Sequence, residues 1–316
     1  MGDIMVIDEQ SLAEIDADKV EQIVRLVTDA VDSLHTKRAY ARAIRDFLAW
    51  YRRRGQIGLT KAVLLSYRAE LAAQGMGASS INQRLSAIRR LATEAADNGA
   101  MSQAAASGIR NTPGLRQAGQ RQGNWLPQEQ AQRLLTAPDT NTLKGLRDRA
   151  ILAVMLGCGL RRSEVAALTF AHVQQRQADD GRLRWLIVDL IGKGNKTRSV
   201  VMPDWAKAAI DAWASAAGLS AGPIFRQVDQ WGHVGDDLSE IGVSWLVKEY
   251  AAALGLGKLA AHDLRRTYAK LARRGGAALE QVQYNLGHSS LKTTERYLGT
   301  ALDLAHAPCD ALGLKL

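Results

Sequence analysis

Cysteine is nearly absent from this chain: Cys158 and Cys309 are the only two in 316 residues. Two thiols make no disulfide framework, and no Cys or His spacing fits a metal site. Cys158 falls in the apolar run from Ala150 to Gly159, where a small buried thiol is the ordinary interpretation. No glycine-rich phosphate loop occurs either, so the sequence calls for neither a nucleotide cofactor nor a metal. The start MGDIMVIDEQ lacks a basic stretch followed by an apolar core, and no apolar run approaches the roughly 18 residues needed to cross a bilayer. A soluble cytoplasmic protein without a membrane partner is the expectation. Repeats and low-complexity tracts are absent too.

What is present in surplus is positive charge. The 41 Lys and Arg against 32 Asp and Glu leave +9, with a pI near 9.7. A surplus of that kind marks a polyanionic partner, nucleic acid first among them. The charge is unevenly placed: residues 1–34 hold nine acids and two bases (net −7), residues 35–124 hold 15 bases and four acids (net +11), and residues 125–316 hold 24 bases and 19 acids (net +5). Residues 1–30 therefore read as an acidic tail, either simply solvated or shielding a basic surface behind it.

At 47% hydrophobic residues the chain has material for two cores. Tyr40, Ile44, Phe47, Leu48 and Tyr51 recur at helical steps and predict an amphipathic helix ending at Gly55. Thr60 suits the N-cap of a helix over Lys61–Ala73, and Ser79 or Ser80 that of a helix running to about Asn98, with a shorter helix near Gln103–Ser107 completing a four-helix unit over residues 31–110. Arg42, Arg45, Arg84, Arg89 and Arg90 lie on the polar faces of these helices. Each alone is an ordinary solvated charge, but within a net +11 segment they become candidate phosphate contacts.

Residues 111–124 (NTPGLRQAGQRQGN) have the composition of a linker. A second domain over residues 125–316 begins at Leu126 with Pro127 in a first helical turn. It continues with a buried helix from Leu143 to Met155 and two strands, Arg184–Leu190 and Thr197–Met202, joined by a tight glycine-rich turn. Helices resume from Pro203. The fold class is mainly α with a small antiparallel β-sheet in the second domain.

Local contexts in that domain carry phosphoryl-transfer chemistry. A phosphodiester repels nucleophiles and has a poor leaving group, so catalysis is largely positioning plus charge neutralisation at the phosphoryl oxygens. Arginine suits this because its planar fork donates two parallel hydrogen bonds and stays charged. In GLRRSEVAAL, Gly159 would end one helix, Arg161 would start the next, and Glu164 can hold a guanidinium, although a capping box with an arginine neighbour reads the same way. In HDLRRTYA, His262 and Arg265 are three apart and share a helix face. In LGHSSLKTTERYLG, His288 follows a glycine at a helix end, and Tyr297 comes nine residues later. A tyrosine hydroxyl, with a pKa of about 10, is a weak nucleophile unless deprotonated or surrounded by positive charge. In IGKGNKTRSVV, Lys193 sits in the turn between the two strands, placed either as a plain turn residue or as the acid that protonates a leaving 5′ oxygen.

Taken together, GLRRSEVAALT, IGKGNKTRSVV, HDLRRTYA and LGHSSLKTTERY, with SSINQRLSAIRRL in the first unit, resemble the tyrosine recombinase or phage integrase family, particularly its bacterial Xer-like members. The resemblance covers both domains. It implies a helical core-binding domain and a mixed α/β catalytic domain closing as a C-shaped clamp on duplex DNA. Attack by Tyr297 would give a 3′-phosphotyrosyl bond and a free 5′ hydroxyl, with strand exchange through a Holliday junction. Arg161 and Arg265 would grip the scissile phosphate, His262 assist proton removal, Lys193 act as general acid, His288 stabilise the transition state, and Glu164 support them. Arg266 departs from the pattern, since many relatives place a second histidine there.

The resemblance further implies a homo-oligomer on paired DNA sites, a tetramer, or a hetero-assembly with a related recombinase, working at the nucleoid. The tail from Gly299 to Leu316 would pack into a neighbouring protomer or fold on its own domain. Two other functions fit the residues: DNA relaxation of the topoisomerase IB kind, and DNA binding without catalysis. The latter has no use for Tyr297 or Lys193.

Overall fold

The computed structural model describes residues 17–55, 58–116, 124–192, 197–288 and 294. The chain divides into two units, residues 1–119 and 120–316.

In the first unit the helices are α1 (Ala17–Asp29), α2 (Leu34–Arg53), α3 (Lys61–Ala73), α4 (Ala78–Asp97) and α5 (Gln103–Arg110). Side-chain caps start three of them: Ser33, Thr60 and Ser102 each accept a backbone N–H three residues on, satisfying an end donor that would otherwise lack an intrahelical partner. The cap of α4 is Gly77 and not Ser79 or Ser80, which both lie inside the helix's first turn. The acidic leader is no tail from Ala17 onward. Ile23, Val24 and Val27 recur at helical spacing and are buried in the unit's core with Ile44, Phe47, Leu64, Ile81, Leu85 and Ile88. The charge of this segment masked an amphipathic helix. Tyr67 anchors the aromatic part of the core, 5.1 Å from Phe47 edge-on and 4.9 Å from Trp50.

The stretch expected as a linker begins strapped to this unit. Asn82 both donates to and accepts from the backbone of Leu115, at 2.9 and 2.8 Å, and Arg68 donates to the Pro113 carbonyl at 2.6 Å. Residues 117–123 lie outside the described residues.

The second unit contains α6 (Gln128–Thr136), α7 (Leu143–Cys158), α8 (Arg162–Ala166), α9 (Asp204–Ala216), α10 (Glu240–Ala253), α11 (Ala261–Arg274) and α12 (Leu279–Leu286) around a three-stranded antiparallel sheet. Its strands are β1 (Val173–Gln177), β2 (Leu183–Ile191) and β3 (Thr197–Met202), in that order. β1 was not foreseen, because VQQRQ carries almost no apolar signal; it pairs Gln175 with Trp185. β2 and β3 pair Leu186 with Val201, and the register shifts between Ile187 and Leu190, where Asp189 takes φ 56°. The turn expected between β2 and β3 falls at residues 193–196, outside the described residues.

Helix α7 is the core's axis, with Ile151, Leu152, Val154, Met155 and Cys158 all fully buried. It packs on α6, α9, α11 and β3. Trp213 of α9 is buried too, its indole donating to the Ile224 carbonyl at 2.8 Å. On α7, Asp148 is fully buried and accepts from Arg147 at 2.8 and 2.6 Å, Lys144 at 2.9 Å and the Tyr250 hydroxyl at 3.0 Å. Removing one member of such a buried set strands the others without their countercharge. Asp148→Ala is therefore expected to lower the unfolding free energy by about 3–5 kcal/mol in urea titrations. A change under about 1 kcal/mol would show that Arg147 and Lys144 find other partners.

Candidate active site

Two left-handed helix ends build the site. Gly159 closes α7 at φ 63° and Gly287 closes α12 at φ 60°, conformations that a Cβ disfavours. Each turn delivers functional groups immediately afterwards. Past Gly159 the chain enters α8 with Arg161 at its N-cap position, and past Gly287 comes His288. A side chain at Gly159 would also meet the Tyr268 ring, at 2.5 Å from its Cβ.

Arg161 and Arg265 converge. Arg265 on α11 is 1% exposed and donates to the Gly159 carbonyl at 2.6 Å and, by a shorter contact, to the Leu286 carbonyl. Arg161 donates to the same Leu286 carbonyl at 3.3 Å. Two guanidiniums sharing one acceptor atom are held side by side, although 104 residues separate them (265 − 161). Arg161 keeps 28% of its side chain exposed, the accessible member of the pair.

Glu164 lies beneath them, 5% exposed. Its carboxylate accepts the Arg161 backbone N–H at 2.8 Å and the Arg161 guanidinium at 2.6 Å, and it lies 4.0 Å from Arg265. It also receives both terminal nitrogens of Arg198, each at 2.8 Å. Burial alone would raise this carboxyl's pKa, but the hydrogen bonds from Arg198 and the Arg161 backbone outweigh it and hold the pKa down at about 2. Arg161, Arg198 and Arg265 thus bring three positive charges to one negative.

Both predicted histidines share this field. His288 is depressed to about 4, first by burial and then by the charges of Arg265, Arg161, His262 and Arg198. Its Nδ1 lies 3.0 Å from the Thr294 hydroxyl. His262, at the start of α11, is lowered from 6.5 by burial and then by Arg266 and Arg265, against the opposing pull of Asp263. Both imidazoles are neutral at pH 7, able to accept a proton or to offer an N–H to a phosphoryl oxygen. Arg266, the departure from the family pattern, pairs with Asp263 at 3.2 Å and adds to the charge that keeps His262 neutral.

Of the six residues expected to react, the structure thus brings together Arg161, His262, Arg265 and His288, with Glu164 in support. Lys193 and Tyr297 lie outside the described residues, as does the tail from Gly299 to Leu316. The residue that sequence reasoning missed is Arg198. It lies within the motif IGKGNKTRSVV but reads there only as a strand position.

The arginines expected to meet phosphates in the first unit are mostly engaged within it. Arg45 forks Glu21 at 2.8 Å through two nitrogens, Arg84 holds Asp46 at 2.6 Å, Arg89 donates to the Thr112 carbonyl, and Arg90 pairs with Glu94 at 2.7 Å. Arg42, with 81% of its side chain exposed, approaches Asp46 only at 3.9 Å.

A helical unit with a small antiparallel sheet that brings two arginines onto one carbonyl, within the electrostatic reach of two histidines, fits a class: enzymes that transfer a DNA phosphoryl group. The chain belongs to the phage integrase family of tyrosine recombinases, the enzymes of site-specific DNA recombination. The family's catalytic model, described as "Phage integrase family", matches residues 124–302, and its "Phage integrase, N-terminal SAM-like domain" matches residues 9–99. The tyrosine recombinase XerC of Xylella fastidiosa (strain 9a5c) is 30% identical over 286 residues, covering 87% of this chain and 91% of the relative. XerD of Neisseria meningitidis serogroup B is 35% identical over 181 residues, 56% of this chain and 58% of its own length. Among solved structures, the XerH recombinase bound to its difH substrate before cleavage shares the fold, with a TM-score of 0.67 at 17% identity over 92% of this chain and 82% of that one.

The Glu164 carboxyl gives a pH signature. Its folded pKa lies below the ordinary 4.5, so the stability it contributes is complete above that value and is lost as pH falls toward about 2. The full contribution is about 3 kcal/mol. In urea unfolding, the advantage of the wild type over Glu164→Gln should be level above about pH 5 and shrink below it. An advantage that stays level down to about pH 3 would contradict this placement of the carboxylate.

Proposed function

We propose that this chain cleaves and rejoins duplex DNA through Tyr297. The phenolic oxygen attacks the scissile phosphorus, the bond to the 5′ oxygen breaks, and a 3′-phosphotyrosyl ester forms beside a free 5′ hydroxyl. His262, neutral at pH 7, takes the phenol proton, and Lys193 returns one to the leaving oxygen. Arg161 and Arg265 hold the two non-bridging oxygens of one phosphate, and His288 donates to a developing negative charge. The ester keeps the energy of the broken diester, so rejoining by an incoming 5′ hydroxyl needs no nucleotide.

The observation that supports this most strongly is the shared Leu286 carbonyl. It draws two guanidiniums to one point, where a phosphate, with its paired oxygens, is the matching ligand. Strand exchange proceeds through a Holliday junction within a tetramer on paired sites, made of this chain alone or with a related recombinase. XerH is solved bound to its difH substrate and the Tn1549 transposon integrase in complex with transposon right end DNA, and we extend DNA binding to this chain. Among the described residues no helix is long and apolar enough to cross a membrane, consistent with action in the cytoplasm at the nucleoid. In the first unit Arg42 is the most accessible phosphate contact, and Arg45, Arg84, Arg89 and Arg90 contribute where DNA displaces or complements their present partners. As part of this reading we propose that the tail from Gly299 to Leu316 packs into a neighbouring protomer and does not fold on its own domain.

A duplex selected from a random pool by binding to Tyr297→Phe, then nicked beside the cleavage position, traps any covalent complex. The wild type should form a protein–DNA adduct stable in detergent, and Tyr297→Phe none. An adduct in Tyr297→Phe would assign the nucleophile elsewhere. The cleavage rate should fall on the acid side with a midpoint below the ordinary imidazole value of 6.5, because His262 must be neutral to accept the proton. A midpoint above 6.5 would remove His262 from that role. Supercoil relaxation without recombinant product on a two-site plasmid would favour a topoisomerase-like enzyme instead.

A further inference from the structure

We propose that Arg198 is a positioning residue for the phosphate clamp, acting through Glu164 to fix Arg161. The inference rests on the recombinase reading and adds a member to its site. Arg198 lies on β3, only 10% exposed, and three of its guanidinium nitrogens are engaged: both terminal nitrogens on Glu164 at 2.8 Å and Nε on the Asn285 carbonyl at 2.9 Å.

These bonds join three elements. Glu164 belongs to α8, whose N-cap is Arg161, and Asn285 precedes Leu286, whose carbonyl anchors both clamp arginines. The same helix end leads into His288. The Asn285 side chain in turn donates to the Cys158 carbonyl at 2.9 Å, beside the turn at Gly159. Gly287 makes room for the arrangement, since a Cβ there would stand 2.9 Å from Arg198 Cδ.

Without Arg198, Glu164 would keep its bond to Arg161 but lose the fork that sets its plane, and Arg161 could follow its carboxylate away from the phosphate. A lysine cannot substitute. Its ammonium is a point charge on a flexible stem, with no planar fork to hold both carboxylate oxygens and a backbone carbonyl together. Arg198 does not itself meet the reacting atoms; its work is orientation, which in phosphoryl transfer is a large part of catalysis.

The test uses the full-length chain and the nicked duplex selected from the random pool. In Arg198→Lys, single-turnover adduct formation should slow by about 100-fold, the order expected when a clamp is displaced by roughly 1 Å. DNA affinity should change by less than about 3-fold, because the phosphate contacts outside the site remain. Replacing the leaving 5′ oxygen with sulfur discriminates the route. A thiolate departs without a proton, so this substrate should restore Lys193→Ala but not Arg198→Lys. Cleavage by Arg198→Lys at the wild-type rate, or its restoration by sulfur, overturns the proposal.

If Arg198→Lys is poorly folded, Arg198→Gln keeps Glu164 and its bond to Arg161 and takes away the fork alone. An Arg198→Gln protein that is folded at the assay temperature by circular dichroism, with cleavage slowed by about 100-fold, supports the proposal, and wild-type cleavage in that variant overturns it. Absence of any adduct in the wild type rejects the recombinase reading, whereas an adduct in the wild type with a fully active Arg198→Lys rejects this inference alone.

Discussion

The site depends on one backbone oxygen. The Leu286 carbonyl, at the carboxyl end of α12, accepts from both Arg161 and Arg265. The carboxyl end of a helix is its negative pole, with carbonyls left unmatched by the helix itself, and cations are favoured there. Gly287 stops α12 at that residue, so the oxygen is available and correctly aimed. Two positive groups that would repel one another in a low-dielectric setting are instead held together by a shared partner.

The surrounding electrostatics follow from that arrangement. Arg161, Arg198 and Arg265 surround Glu164, which stays ionised well below the ordinary carboxylate range. Burial first, and then Arg265 and Arg161, lower both His262 and His288, with Arg266 adding to the effect on His262 and Arg198 to that on His288. A single cluster therefore biases three protonation states at once: Glu164 toward its anion, and His262 and His288 toward their neutral forms. Under the proposed reading, the paired guanidiniums meet two adjacent anionic oxygens of one phosphodiester.

The legible parts of the site were those whose signal is local. Gly159, Arg161 and Glu164 sit within six residues of one another, and the turn, cap and carboxylate follow from cap chemistry alone. His262 and Arg265 share a face by helical spacing, as they do on α11. Arg198 was illegible because its partner Glu164 is 34 positions away and its own neighbourhood alternates as a strand should. The Leu286 carbonyl has no side-chain signature at all. In the first unit, the helix over Lys61–Ala73 was readable from Thr60, whereas α1 was hidden because nine acids in residues 1–34 drew attention from Ile23, Val24 and Val27. Arginine-rich faces were readable as charge but not as partners, since Glu21 and Asp46 meet Arg45 and Arg84 only once the helices pack.

The most direct measurement is a solved structure of the Tyr297→Phe protein on its selected DNA, with the scissile phosphate intact. The guanidiniums of Arg161 and Arg265 should each lie about 3 Å from a non-bridging oxygen of one and the same phosphate. Guanidiniums bound to different phosphates, or a pair still turned inward with no phosphate between them, would contradict the claim that the Leu286 carbonyl exists to focus them.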